Sequence, residues 1–294
     1  MDVKYMLKTE TKKKSDDQRS RGIEHKLNKE SGHKLSWNLR CVLCLVPSLL
    51  GSIIFFFWPY IRVLYYSVID DQFNKNLVGL SNYIETLSNS YFQLAMQNSL
   101  LLIVIGVPAL VILAIVLSLL LTFQLNKLPR LRDAFILPML IPTASIVLIW
   151  QQLFGGFTSA IPIYLLFVWK NIGICIILLT AALTTIDQSV FEAAKIDGAK
   201  ALLIHRKITV PILTPTIFFT VLLAIVNSFK IFKESYLYYG NKYPPNHSYT
   251  LQYYMNNNFL KFDYQALASS SILTSLLVLL MVGVGLKIQR RFQS

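Results

Sequence analysis

The stretch SLLLIVIGVPALVILAIVLSLLLTFQL, from Ser99 to Leu125, contains no charged residue. A run of about 20 apolar residues is what an α-helix needs to cross the roughly 30 Å hydrocarbon core of a bilayer. This run is apolar on every face, so it reads as a buried or membrane-spanning helix rather than the amphipathic surface helix of a soluble domain. Five further stretches of similar character flank it, and the expected spans are 42–66, 99–125, 134–155, 163–184, 212–232 and 264–286. Pro47, Pro59, Pro108, Pro138 and Pro142 interrupt them. Membrane helices tolerate such prolines because neighbouring groups satisfy the freed backbone. The expected fold is therefore an all-α integral membrane protein with six transmembrane helices.

Composition agrees. Of 294 residues, 54% are hydrophobic and 15% charged, with a mean hydropathy of +0.51. A soluble domain carries about a quarter charged residues. The formal net charge is nonetheless +13. Residues 1–40 hold eleven Lys/Arg and six Asp/Glu with no apolar period, and are expected to form a basic, disordered tail. The transmembrane domain then occupies 41–294. With six spans both termini share one side, and the segments on that side carry 21 Lys/Arg against 5 in the opposite loops. The positive-inside rule puts both termini in the cytoplasm of a multi-pass protein of the cell membrane. The charge is thus an orientation signal, and the length of the apolar runs excludes a soluble nucleic-acid module.

Three cysteines exclude a disulfide scaffold. Cys41 and Cys44 have CxxC spacing, but no second pair accompanies them, so they read as small apolar helix residues, as does Cys175. Trp58, Tyr60, Tyr65, Tyr66, Trp150 and Trp169 fall near outer span ends and are expected to contact lipid in an interfacial aromatic belt.

The segment between the fourth and fifth spans, 186–211, carries the chemistry. Ser189 and Glu192 form a Ser-x-x-Glu capping box, which predicts a helix starting near Val190. Ala193 and Ala194 favour that helix, and Gly198 can end it with a positive φ. A second short helix can follow from Lys200, and Pro211 can open the fifth span. The product is a cytoplasmic helix–turn–helix with a compact alanine surface that another chain can approach closely.

This stretch resembles the EAA coupling loop of ABC importer permease subunits. Glu192, Ala193, Ala194, Asp197 and Gly198 match its pattern, and Ile208 and Pro211 fall at the expected distance, with Val210 in place of a leucine. Residues 40–290 are similar to the binding-protein-dependent sugar permeases of the maltose and glycerol-3-phosphate type. Val78-Gly79-Leu80-Ser81-Asn82-Tyr83 looks like their GLxNY motif. Leu137-Pro138 and Trp150 fit their third span, and Ser228-Phe229, Phe232 and Glu234 fit the end of their fifth. The region between the third and fourth spans is shorter than in many relatives.

The resemblance implies a type I ABC importer permease for a sugar or related polyol. It implies as partners two cytoplasmic ATPase subunits, a second homologous permease, an extracellular solute-binding protein and membrane lipid, with no nucleic acid. Glu192, Ala193, Ala194, Asp197, Gly198 and Pro211 would form the ATPase-docking loop. No cofactor or metal is expected in this chain, since it has no GxxxxGK[ST] phosphate loop; ATP and Mg would be used by the ATPase subunits.

A sugar path needs neutral hydrogen-bonding groups near the midplane. Asn227 and Ser228 in the fifth span and Ser271 and Ser275, four apart on the sixth, are the candidates, with helix–helix hydrogen bonding as the competing reading. Lys170 and Arg62 are expected near the outer interface, where they can snorkel, and His205 is read as a packing residue. An ion-coupled secondary transporter is the alternative. It would show acidic residues in mid-span, and the expected span boundaries contain none. No paired carboxylates, HExxH or Ser/His/Asp set points to a membrane enzyme.

Overall fold

A computed structural model of the chain describes residues 42–123, 134–157, 159–240 and 244–293. The basic tail of 1–40, Cys41 and the short basic loop near 124–133 lie outside the described residues. The described residues are helical apart from turns and one isolated bridge between Ile69 and Leu77. They divide into two compact units, the first ending at Arg62 and the second running from Val63.

Helix α1, Val42–Tyr66, begins in the first unit. Its large apolar side chains are exposed, with Phe55 and Phe56 each at 74%. The Arg62 guanidinium lies 5.5 Å from the centre of the Trp58 ring, a cation–π contact that keeps it at the helix surface.

The second unit holds α2 (Ser81–Ser88), α3 (Ser90–Thr122), α4 (Leu137–Leu140), α5 (Thr143–Phe154), α6 (Ile161–Leu183), α7 (Gln188–Ile196), α8 (Ala201–Tyr239), α9 (Leu251–Leu260) and α10 (Tyr264–Gln293). Four of these, α3, α6, α8 and α10, are long and apolar enough to cross a membrane, as is α1.

The third expected span differs. It is broken into α4 and α5, because Pro142 drives Ile141 to an extended ψ of 135° and has no N–H to donate. The twelve-residue α5 falls short of a full crossing by length. The second span begins at Ser90, nine residues before the apolar run, because Asn89 caps it by accepting from the Tyr91 and Phe92 amides. The fifth runs on to Tyr239, so Lys230, Lys233 and Glu234, expected at or beyond its outer end, are helical.

The core lies where α3, α6 and α8 meet, around Leu110, Ala114, Phe167, Ile176, Leu179 and Ala224. Lipid tails are as apolar as leucine, so such helices are held by close packing rather than by escape from water. Small residues permit the approach. A Cβ on Gly106 would sit 3.2 Å from the Phe167 ring, and one on Gly173 would sit 2.1 Å from the Phe135 carbonyl oxygen, inside a forbidden distance. Gly173 is therefore the place where the backbone leading into α4 crosses α6.

One of the expected belt aromatics, Trp150, is internal instead, while Trp169 stays 37% exposed. Trp150 is 9% exposed, donates its Nε1–H to the Pro162 carbonyl at 2.8 Å, and stacks on Trp169 at 5.4 Å between ring centres. A buried indole needs a partner for its N–H, and the α5–α6 turn supplies one. The GLxNY stretch ties down the loop after α1. Asn82 donates to the Ser67 and Ile69 carbonyls, and the Tyr83 hydroxyl donates to the Ser67 hydroxyl at 2.6 Å.

Candidate functional site: a helical hairpin joined to a polar cavity

The hairpin is built from α7 and the start of α8. The cap of α7 is Asp187 rather than Ser189: its carboxylate accepts from the Ser189 amide at 3.0 Å, so the helix starts at Gln188, two residues before the expected position. That bond holds the exposed Asp187 carboxyl below its ordinary range.

The other end closes in a Schellman turn. Gly198 takes φ +76°, its amide donates to the Lys195 carbonyl, and the Ala199 amide reaches back to the Ala194 carbonyl at 3.0 Å. Beneath this turn Phe191, Ala194 and Ile204 are buried together, with Ile186, Ala199 and Ile208 packed against them. This small apolar cluster fixes the angle between α7 and α8. Of the expected docking residues, Ala194 faces inward, while Glu192, Ala193, Asp197, Gly198 and Pro211 are exposed. Ile196 and Leu202, which the sequence reading did not single out, stand 86% and 80% exposed on the same hairpin. The hairpin thus sets the Glu192 and Asp197 carboxylates beside two large bare apolar groups.

Pro211 does not start a separate span. The helix is continuous from Ala201, and a π-turn over His205–Thr209 precedes the proline. In that turn the Val210 amide reaches the His205 carbonyl, which absorbs the donor that Pro211 lacks. His205 packs in this turn with its Nδ1 3.3 Å from the Thr209 hydroxyl.

The same helix leads to a cavity of about 350 Å³. Its wall includes Lys170 and Asn171 from α6, and Asn227, Lys230 and Glu234 from α8. Lys170 is ion-paired with Glu234, and its ammonium also donates to the Thr143 hydroxyl at 3.2 Å. Glu234 is 5% exposed, so it is a buried acid two residues beyond the expected end of the fifth span, in helix that runs on to Tyr239. Lys170 is held by this pair, not free to snorkel.

Of the four residues expected on a solute path, Asn227 alone lines this cavity. The Ser228 hydroxyl is buried and donates to the Ile225 carbonyl. Ser271 donates to the Leu267 carbonyl and Ser275 to the Ser271 carbonyl, as membrane serines do when they satisfy themselves on their own helix. The signal for the cavity residues was available in part: Lys170-Asn171 interrupts an otherwise apolar run, and a charge in such a place needs a partner of opposite sign.

Residues 97–294 match the family described as "Binding-protein-dependent transport system inner membrane component". The chain is 30% identical over 285 residues to the arabinooligosaccharides transport system permease protein AraP of Bacillus subtilis, covering 84% of this chain and 87% of that protein. It is 26% identical to the lactose transport system permease protein LacF of Rhizobium radiobacter, over 82% and 90%. In structure it is similar to a chain of a bacterial ABC transporter involved in the import of the acidic polysaccharide alginate, with a TM-score of 0.70 over 89% of this chain and 98% of that one, at 18% identity.

Proposed function

The chain belongs to the family of binding-protein-dependent transport system inner membrane components, a multi-pass permease of an ABC importer, and from that premise we propose how it works and what it carries. It imports a sugar or related polyol handed over by an extracellular solute-binding protein. A second, homologous permease completes the pathway, and two cytoplasmic ATPase subunits supply the energy. ATP and Mg are used by those subunits, and this chain holds no cofactor. Both termini and the α7–α8 hairpin face the cytoplasm of a cell-membrane protein, in keeping with the excess of Lys/Arg on that side.

The observation that carries this reading is the continuity of α8. The helix runs from the exposed hairpin at Ala201 to Asn227 and Lys230 in the cavity wall, and after a single turn residue, Ile231, a last helical segment carries Glu234. The hairpin offers Glu192 and Asp197 as carboxylates for basic groups on an ATPase, and Ile196 and Leu202 as apolar anchors. When the ATPases close, the hairpin moves with them. A helix is stiff along its axis, so a displacement at Ala201 is passed on to Asn227 and Glu234. The cavity then opens alternately to either side, which is rigid-body rocking around a fixed site. Asn227 offers a neutral amide to solute hydroxyls, and Asn171, whose Nδ2 donates to the Phe167 carbonyl, offers its amide oxygen. Pairing with Glu234 holds Lys170 in the cavity wall.

The test is co-purification with candidate ATPases together with solute uptake into liposomes. Glu192→Ala should lower ATPase capture and uptake in parallel while the assembled complex melts as wild type does. Equal capture by both chains removes the docking role of Glu192. Capture of no ATPase by the wild-type chain removes the reading as a whole.

A further inference from the structure

A second polar pocket lies at the other end of α8 from the hairpin. The chain leaves α8 at Tyr239 and enters α10 at Tyr264, and α9 with the turn after it walls a cavity of about 300 Å³ together with α2. The orientation proposed above makes this the outer face. Two amides in its wall are unsatisfied. Asn258 is 8% exposed and lies beside the Tyr254 hydroxyl, but its Nδ2 makes no hydrogen bond of ordinary geometry, and the buried Nε2 of Gln265 makes none either. A buried donor without an acceptor costs about 1–3 kcal/mol, so a pair of them in one cavity wall points to a group that arrives from outside.

Carboxylates share that wall. Glu85 reaches it from α2. Asp263 caps α10 with one oxygen, Oδ1, on the Ala266 amide, and its second oxygen remains for another donor. Asp70 is already engaged by Asn76 and by its own loop amides. Lys261 adds a cation.

The pocket thus presents open donors and open acceptors side by side. A basic side chain brings only donors and would leave both amides unmet. An anion would meet three carboxylates. A metal ion needs a shell of converging oxygens, and among the described residues no group of three His, Cys, Asp or Glu side chains is placed to give one. A hydroxyl donates and accepts at once, and adjacent hydroxyls on a ring do so in pairs.

We infer that the cavity between α2, α9 and the start of α10 is an outer binding site for one neutral sugar unit, its hydroxyls accepting from Asn258 and Gln265 and donating to Glu85 and Asp263. The inference rests on the importer reading for its side of the membrane and its solute class. It adds a place where the solute is held at the outer mouth, separate from the cavity at Asn227.

The test uses the full chain assembled with its partner permease in lipid nanodiscs, without ATP, and an arabinose trisaccharide carrying a photoreactive diazirine. Mass spectrometry reads the label on the segments 81–89 and 251–268. Labelling there should saturate and be displaced by the unmodified trisaccharide. Asn258→Leu and Gln265→Leu should each lower it about fivefold to tenfold, the worth of one hydrogen bond to a ligand, with label near Asn227 unchanged. ATPase capture and melting temperature report whether each variant is folded; if Asn258→Leu is not, Gln265→Leu decides. Absence of label in the wild-type chain, equal label in a folded variant, or protection by arginine amide but not by sugar overturns the site. Uptake into liposomes separates the two claims. Uptake without label in this pocket removes the outer site alone, and label without uptake leaves the site standing and removes the importer reading.

Discussion

Lys170 on α6 is bound to Glu234 on α8, with the Thr143 hydroxyl at the start of α5 as a third partner. Three helices are therefore joined at one charged point beside the cavity. A buried ion pair adds little net stability, but removing one member strands the other. Glu234→Ala should destabilise the assembled complex by about 3–5 kcal/mol, whereas the double change Lys170→Met with Glu234→Leu should cost far less than the two single changes together. A double-mutant cycle on thermal unfolding measures this, and additive single effects would show that the pair does not act as a unit.

Gly173 is set by space alone, since a Cβ would stand 2.1 Å from the Phe135 carbonyl oxygen and 2.9 Å from its carbon. Backbone cannot swing aside as a side chain can. Gly173→Ala should cost about 1–3 kcal/mol or more and lower the yield of folded complex. Gly283→Ala, on α10 with nothing within 4 Å, should change neither. Melting temperatures of the two variants, compared side by side, decide it.

Gly198 shows the opposite case. There is open space around it, but φ is +76°. Gly198→Ala should therefore cost about 1–2 kcal/mol through backbone strain, and Gly198→Asn less, because asparagine visits the left-handed region more readily. The expected readout is weaker ATPase capture by the alanine variant, partly restored by asparagine. Equal capture by all three would mean that the Schellman turn does not set the docking shape.

The Asp187 cap gives a pH dependence. Its carboxyl is held below the ordinary value of about 3.9, first by the Ser189 backbone amide. The folded form is favoured when the carboxylate is charged, so the contribution is complete above the ordinary value and is lost as pH falls through the lowered one. Amide exchange at Ser189 should be protected and level near neutrality, and protection should fade only well into acid. Asp187→Asn should keep a cap whose strength is indifferent to pH, and Asp187→Ala should lose protection at every pH.

The family and the helical class were legible in the chain order alone, because both are written in local pattern. An uncharged run such as Ser99–Leu125 has one way to satisfy its backbone in a bilayer, and Glu192-Ala193-Ala194 with Gly198 has one common hairpin geometry. Helix ends were read less well. Asp187 capped α7 in place of Ser189, since whichever side chain reaches a free amide first in space takes it. Pro142 broke the third span, whereas Pro211 was absorbed by a π-turn, and a proline's own sequence position does not tell those outcomes apart. The pairing of Lys170 with Glu234, 64 residues apart, was decided by tertiary structure alone. Ser228, Ser271 and Ser275, by contrast, donate to carbonyls three or four residues back on their own helices, a local outcome. Sequence specifies what a segment can satisfy within itself, while the partner of a charge or an amide depends on which helix packs beside it.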